Sequence, residues 1–207
     1  MKILNAISLF SGSGMLDRGC AAALKTQDYE LRTILYCERE KYAQEVLQAR
    51  MQDDLLYRAP IWSDVTTLNA TQLEGHIDVV IAGFPCQPFS VAGKRAGLED
   101  ERYLFADVIR IANEAGASLL FLENVPGLLS GKKDGTAPVT DVMRLMDEAG
   151  FDAVWHCHTA SEAGAPHKRE RWFCLAWRTV ADSECDGQAG SKITGSIDCI
   201  SAEESAG

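Results

Sequence analysis

The chain has 207 residues, with 20 Lys and Arg against 30 Asp and Glu, for a formal charge of -10. That length supports one domain with a full core, and no window approaches the roughly eighteen consecutive apolar residues of a membrane-spanning helix. Seven cysteines, scattered and without a CxxC pair, point to free thiols in a reducing compartment. An N-terminus without the parts of a signal peptide adds to the expectation of a cytoplasmic protein.

Residues 5–10 read as the first strand. Phe10-Ser11-Gly12-Ser13-Gly14 is a glycine-rich turn, and Met15 to about Leu24 is the helix that it feeds. Strand, turn and helix form a nucleotide-binding unit, because the glycines admit a ligand to the backbone and the helix N-terminus offers free N–H groups. The dinucleotide fingerprint G-x-G-x-x-G would need glycine at position 17, where Asp17 stands.

Leu31 to Cys37 read as the second strand, with Glu38 at its end. An acid there, one βαβ unit after the turn, can accept protons from both ribose hydroxyls; otherwise it is an acid near the start of a helix. Residues 41–51 look helical, with Tyr42, Val46 and Leu47 at core spacing. Ile61-Trp62-Ser63-Asp64-Val65 follows. Val79-Val80-Ile81-Ala82 is an apolar run of the kind buried in a parallel sheet.

Past that run stands Gly83-Phe84-Pro85-Cys86-Gln87-Pro88-Phe89-Ser90. Open α/β sheets bind ligands at the edge where such strands end. Pro85 and Pro88 fix φ and remove two donors, so the loop around Cys86 is stiff and leaves the strand direction. Residues 103–115 then read as a helix with Leu104, Val108, Ile111, Ala112 and Ala115 on one apolar face. Leu119-Leu120-Phe121-Leu122 is another buried strand, ending in Glu123-Asn124-Val125. A carboxylate at that edge has no evident packing role, and burial there would favour its protonated form.

Gly131 to Gly135 read as a loop. Val139, Val142, Met143, Met146 and Ala149 mark a helix stopped by Gly150. Residues 152–159 alternate as a strand, so His156 and His158 share a face. That triplet with Cys157 does not make a zinc site, and no metal is expected. Next come Arg169 and Arg171, two apart and on the same side of an extended chain. Residues 179–207 lack aromatics and apolar periodicity. They hold six acids (Asp182, Glu184, Asp186, Asp198, Glu203 and Glu204) against Lys192, and read as a flexible acidic linker or tail.

The stretch from Gly83 through Lys94-Arg95 to Phe105 closely resembles the catalytic loop of the DNA (cytosine-5)-methyltransferases. Glu123-Asn124-Val125 resembles that family's second catalytic motif, and Pro166-His167-Lys168-Arg169-Glu170-Arg171 resembles its Pro-Gln-x-Arg-x-Arg segment with His167 for Gln. The resemblance covers about residues 5–177. It implies a Rossmann-like α/β fold, a mostly parallel sheet with helices on both faces and an antiparallel last strand near 171–177.

The resemblance also implies S-adenosylmethionine as cofactor and double-stranded DNA with a flipped cytosine as substrate. Cys86 would be the nucleophile that adds to C6. At an ordinary thiol pKa near 8.5, about 3% is thiolate at neutral pH; a pKa of about 7 would give roughly half. Glu123 would assist at N3, Arg171 would reach the base, and Arg169 would reach phosphates or the loop. Phe10, Ser11, Gly12, Gly14, Met15, Glu38, Asp64, Val65, Pro85 and Leu104 would surround the cofactor, with Asp64 on the adenine amino group. Gln87, Ser90, Lys94 and Arg95 would face DNA. Ser8 stands where the family usually has an acid, and Met15 where a third glycine is frequent.

The expected organisation is a catalytic and cofactor-binding domain over 1–178 and a tail over 179–207. The family's target-recognition domain is expected to be absent, the chain being either a fragment of a longer protein or a split subunit whose second polypeptide supplies that domain. A missing C-terminal segment would leave apolar surface exposed. Two other readings fit the residues: a non-catalytic remnant that binds cofactor or a partner, and an RNA cytosine-5 relative. Zinc deamination fails, because Pro-Cys-x-x-Cys would need cysteine where Phe89 stands.

Overall fold

The structure is a computed structural model that describes residues 1–85, 104–130 and 137–178. Seven strands form one sheet: β1 (Lys2–Leu9), β2 (Tyr29–Cys37), β3 (Ile61–Trp62), β4 (Val79–Ala82), β5 (Leu119–Asn124), β6 (Phe151–Thr159) and β7 (Glu170–Arg178). The helices are α1 (Met15–Lys25), α2 (Lys41–Gln52), α3 (Leu104–Ala115), α4 (Gly127–Ser130) and α5 (Pro138–Glu148), with two short 3₁₀ turns at Val65–Thr67 and Thr71–Leu73.

The strand order is β3-β2-β1-β4-β5-β7-β6. β1 to β5 run parallel, whereas β7 lies antiparallel to both β5 and β6. Chain order therefore reverses between β1 and β4. Ligands bind at such a switch point, beside the C-terminal ends of the strands.

Alternation along the strands divides the core into layers. Ile7, Leu9, Val80, Ala82, Leu120 and Leu122 point to one face and join Val108, Ile111 and Ala112 of α3 and Val142 and Met146 of α5. On the other face Tyr36 packs with Leu47 and Met51 of α2, and Ala6, Val79 and Ile81 meet Leu16 and Cys20 of α1. The α3 and α5 stripes are those read from the sequence, and Gly150 ends α5 at φ 76°.

The expected α2 stripe needs one correction. Leu47 is buried as expected and Val46 half-buried, but Tyr42 is 71% exposed, and Met51 completes the buried stripe in its place. Position 42 lies in the first turn, before the helix has come down onto the strands. A periodicity count cannot see where a helix first meets its sheet.

On the face shared with α1, β5 and β7 carry Phe121 and Phe173, whose rings stack at 6.1 Å. Leu175 and Trp177 on β7 and Val154 on β6 continue that face as exposed apolar side chains. No helix among the described residues is long and apolar enough to cross a membrane.

Arg110 ties α3 to the segment after β3. Its guanidinium donates to the carbonyls of Val65 (2.9 Å) and Leu68 (2.7 Å) and pairs with Asp107 and Glu114. Glu114 in turn accepts the Ala70 N–H at 2.9 Å. Replacing Arg110 by Met leaves two carbonyls without their donor, so Arg110→Met should destabilise the fold by about 2 kcal/mol in urea unfolding.

Candidate active site at the strand termini

The site begins at the turn after β1. Phe10, Gly12 and Gly14 all have positive φ, at 53°, 52° and 72°. Gly14 opens α1 from the left-handed region and supplies no side-chain cap, so the first N–H groups of that helix keep no side-chain partner there. The turn is tied to the end of β2 by Ser11 N–H donating to the Cys37 carbonyl at 3.1 Å. It is tied to α2 by Arg50 donating to the Ser13 carbonyl at 2.6 Å.

Glu38 completes the cradle. Its Oε2 accepts the Gly12 N–H at 2.7 Å and its Oε1 accepts the Glu40 N–H at 2.8 Å. One carboxylate thus fixes both the turn and the start of α2, and its remaining lone pairs can take ribose hydroxyls. Beside it, a side chain at Gly12 would meet nothing closer than the Phe10 carbonyl at 4.0 Å. That open side, the uncapped helix and an acid one βαβ unit away fit a nucleoside carrying an amino-acid chain. Met15 stands at the rim, 56% exposed.

Asp64 follows β3 and caps the first 3₁₀ turn, its Oδ1 accepting both the N–H (3.0 Å) and the hydroxyl (2.8 Å) of Thr66. These bonds hold its carboxyl below the usual range. Val65 beside it is buried. The adenine role expected of Asp64 thus sits on a residue that also has a capping role.

β4 ends in Gly83-Phe84-Pro85. Phe84 is buried against Phe105 of α3, ring centroids 4.9 Å apart, next to half-buried Leu104. Pro85 is exposed. Cys86, Gln87, Ser90, Lys94 and Arg95 lie outside the described residues.

At the end of β5, Asn124 is buried and donates to the Phe84 carbonyl at 3.0 Å, while its own oxygen accepts the Val125 N–H. It therefore locks the segment entering the Cys86 loop to the strand that carries Glu123. Glu123 Oε1 meets Arg171 Nε at 2.7 Å, both side chains about a quarter exposed. The carboxyl is thus paired with a cation, not sequestered alone as its strand-end position suggests. Its Oε2 lies 3.4 Å from where a Gly83 side chain would begin.

Antiparallel β7 explains this meeting. The N-terminal end of β7 lies beside the C-terminal end of β5, with Asn124 opposite Trp172 and Glu123 opposite Phe173. Arg169 falls just before β7 and is exposed; its carbonyl accepts the Ala160 N–H at 2.7 Å and closes the loop between β6 and β7. His167 Nδ1 faces the Arg169 N–H at 3.4 Å.

Two groups escaped the sequence reading. Asn124 was part of a motif with no role of its own. Asp17 is 3% exposed on α1, and its carboxyl accepts the hydroxyls of Ser8 at 2.9 Å and Thr33 at 3.0 Å. Its signal was an acid amid the apolar face of a helix, between Leu16 and Cys20. Among the described residues no three His, Cys, Asp or Glu side chains gather as metal ligands. The rings of His156 and His158 lie 4.6 Å apart on one face of β6.

A family profile described as C-5 cytosine-specific DNA methylase matches residues 4–195. Type II methyltransferase M.CviJI of Paramecium bursaria Chlorella virus IL3A is 39% identical over 152 residues, which span 73% of this chain and 39% of that protein. M.HhaI of Haemophilus parahaemolyticus is 34% identical over 176 residues, 84% of this chain and 49% of that protein. The chain thus spans less than half the length of these relatives. The solved structure of DNMT2 from Spodoptera frugiperda superposes with a TM-score of 0.66 at 20% identity, over 89% of this chain and 54% of that one, and so shares the fold.

Gly14 is the most demanding position of the cradle. A Cβ there would stand 2.5 Å from Leu56 Cδ1, at a φ that L-residues avoid. Gly14→Ala should cost about 2 kcal/mol in urea unfolding from backbone and overlap together. A loss below about 0.5 kcal/mol, the scatter of neutral surface changes, would show that the turn is not held as described.

Proposed function

Because the chain belongs to the C-5 cytosine-specific DNA methylase family, we propose that it carries the catalytic half of a DNA cytosine-5 methyltransferase. The observation that carries the reading is the shared strand edge. There the Phe10–Gly14 turn with Glu38 lies on one side of the switch point and the Glu123–Arg171 pair on the other, 2.7 Å apart. The family uses S-adenosylmethionine, which supplies an electrophilic methyl group when bound.

In this reading the glycine turn and the start of α1 hold the cofactor's amino-acid part, Glu38 its ribose hydroxyls and Asp64 its adenine. Phe10, Val65, Pro85 and Leu104 pack around it. Cys86 as thiolate adds to C6 of a flipped cytosine. The electron pair of the C5–C6 double bond then makes C5 nucleophilic. With a proton on Oε2, Glu123 supplies a hydrogen bond or that proton at N3, while Arg171 holds Oε1 and fixes the direction of the carboxyl. Once C5 carries the methyl group, its proton passes to a water molecule, the C–H electron pair re-forms the C5–C6 double bond as the C6–S bond breaks, and N3 returns any proton it took to Glu123, which restores the aromatic ring and the Cys86 thiolate. Arg169, Lys94 and Arg95 supply phosphate contacts that this acidic chain otherwise lacks.

The match spans less than half of each relative's length, and their further segments would contribute DNA recognition. The exposed strip of Val154, Leu175 and Trp177 offers those segments, in the same or a second polypeptide, an apolar surface to cover.

The nucleophile is tested with duplex DNA carrying 5-fluorocytosine, in the presence of S-adenosylmethionine and a polypeptide supplying the relatives' further segments. Fluorine cannot leave as a proton does, so wild type should be trapped as a covalent adduct, and Cys86→Ser should give none. An adduct that survives this change would assign the attack to another residue.

A further inference from the structure

The proposed reaction leaves unused the one buried carboxyl among the described residues. Asp17 sits on the inner face of α1 and makes no ion pair among the described residues. Two hydroxyls hold it: Thr33 donates to Oδ1 at 3.0 Å, and Ser8 lies 2.9 Å from Oδ2. Ser8 Oγ is also 3.0 Å from Ser11 Oγ. Ser11 Oγ in turn reaches the Ser8 carbonyl at 2.9 Å and the Cys37 carbonyl at 3.3 Å. Ser8, Ser11, Asp17 and Thr33 are all buried. A closed line of side chains thus runs from the helix interior to the second residue of the glycine turn.

We propose that Asp17 is a positioning residue for the cofactor turn, setting through the hydroxyls of Ser8 and Ser11 how tightly Phe10–Gly14 holds the cofactor. This rests on the reading of that turn as the S-adenosylmethionine cradle.

Counting protons gives the direction. Each hydroxyl has one proton to donate, and an ionised carboxylate only accepts. With Asp17 ionised, the Ser8 proton is committed to Oδ2, and Ser8 no longer donates to Ser11. With Asp17 protonated, the acid serves Ser8, Ser8 serves Ser11, and Ser11 serves the carbonyls of Ser8 and Cys37. Every member is then satisfied. Ser11 anchors the turn at both ends, since its N–H bonds the Cys37 carbonyl and its carbonyl accepts the Gly14 N–H at 2.7 Å. The protonated form should therefore hold the turn better, by about one hydrogen bond.

The surroundings make Asp17 the group that titrates. Burial, opposed only in part by the Ser8 and Thr33 hydroxyls, pushes its carboxyl up to about 6. The folded chain keeps this proton up to about pH 6, whereas an unfolded chain loses it near the ordinary value. Tyr36 on β2 and Cys20 on α1 are themselves pushed to about 12, by burial first and then by Asp17, and so stay neutral. Arg18 and the Asp54–Arg58 ion pair, 2.9 Å apart, lie along an open cleft of about 670 Å³ that reaches Asp17 between α1, β2 and the segment after α2. The cleft gives protons a route to the acid.

The test uses residues 1–207 as wild type, Asp17→Asn and Ser8→Ala. Amide NMR follows Ser11, Gly12 and Gly14 without ligand, and calorimetry measures S-adenosylhomocysteine binding at about pH 5.5 and about pH 8. Wild type should show turn amides titrating near about pH 6, and both variants should lose that titration. The Asn side chain can donate to Ser8 as the protonated acid does. Between the two pH values wild type should therefore lose about fivefold in affinity relative to Asp17→Asn, the worth of one hydrogen bond. Turn amides that titrate unchanged in Ser8→Ala, or stay silent in wild type while the Asp17 carboxyl itself titrates, would overturn the proposal. Amide titration without any binding at either pH would uphold the coupling and overturn the reading of the turn as a cofactor cradle.

Discussion

The site depends on the bond between Glu38 and the Gly12 N–H, 2.7 Å long. Gly12, at φ 52°, turns its N–H toward the end of the neighbouring strand. Glu38 meets it there and with its second oxygen takes the first free N–H before α2. Without that carboxylate the Gly12 N–H would lack its partner, and the turn would keep only its ties through Ser11 and the Ser13 carbonyl. The parallel pairing of β1 and β2 brings the two ends together, since Leu9 lies opposite Cys37. An acid at the end of β2 is thus a structural tie, with lone pairs left over that could take a ligand's hydroxyls.

The other half of the edge follows a different logic. β7 enters the sheet against the direction of β5, so its first residues arrive where β5 ends. This brings Arg171 onto Glu123 and leaves Asn124 to hold the Phe84 carbonyl. Two side chains from adjacent positions on β5 thus have separate tasks. Glu123 presents a carboxyl oriented by a cation, and Asn124 secures the strand that leads to Cys86. Preorganisation of this kind keeps a reacting group in place without reorganisation at the moment of reaction.

Much of the fold was legible because its signals are local. The apolar runs at 79–82 and 119–122, the glycines at 12, 14 and 150, and the stripes of α3 and α5 each declare an element in their own residues. The antiparallel direction of β7 came only through the family resemblance, since nothing within 171–177 marks a strand's partner. Tyr42 kept helical spacing but sits before α2 reaches the sheet. The Asp17 cluster joins α1, β1, β2 and the turn, and the Glu123–Arg171 pair joins two strands distant in sequence. Such groupings depend on sheet order, which no local window contains.

The central claim is that this strand edge is a cradle for S-adenosylmethionine rather than a general nucleotide site. Calorimetry on residues 1–207 with S-adenosylmethionine and with NAD, repeated on Glu38→Ala, tests it most directly. The structure predicts measurable S-adenosylmethionine binding, weaker or no NAD binding, and a marked loss in the variant as the turn loses its tie. Tighter binding of NAD, or affinity for S-adenosylmethionine unchanged by Glu38→Ala, would contradict it.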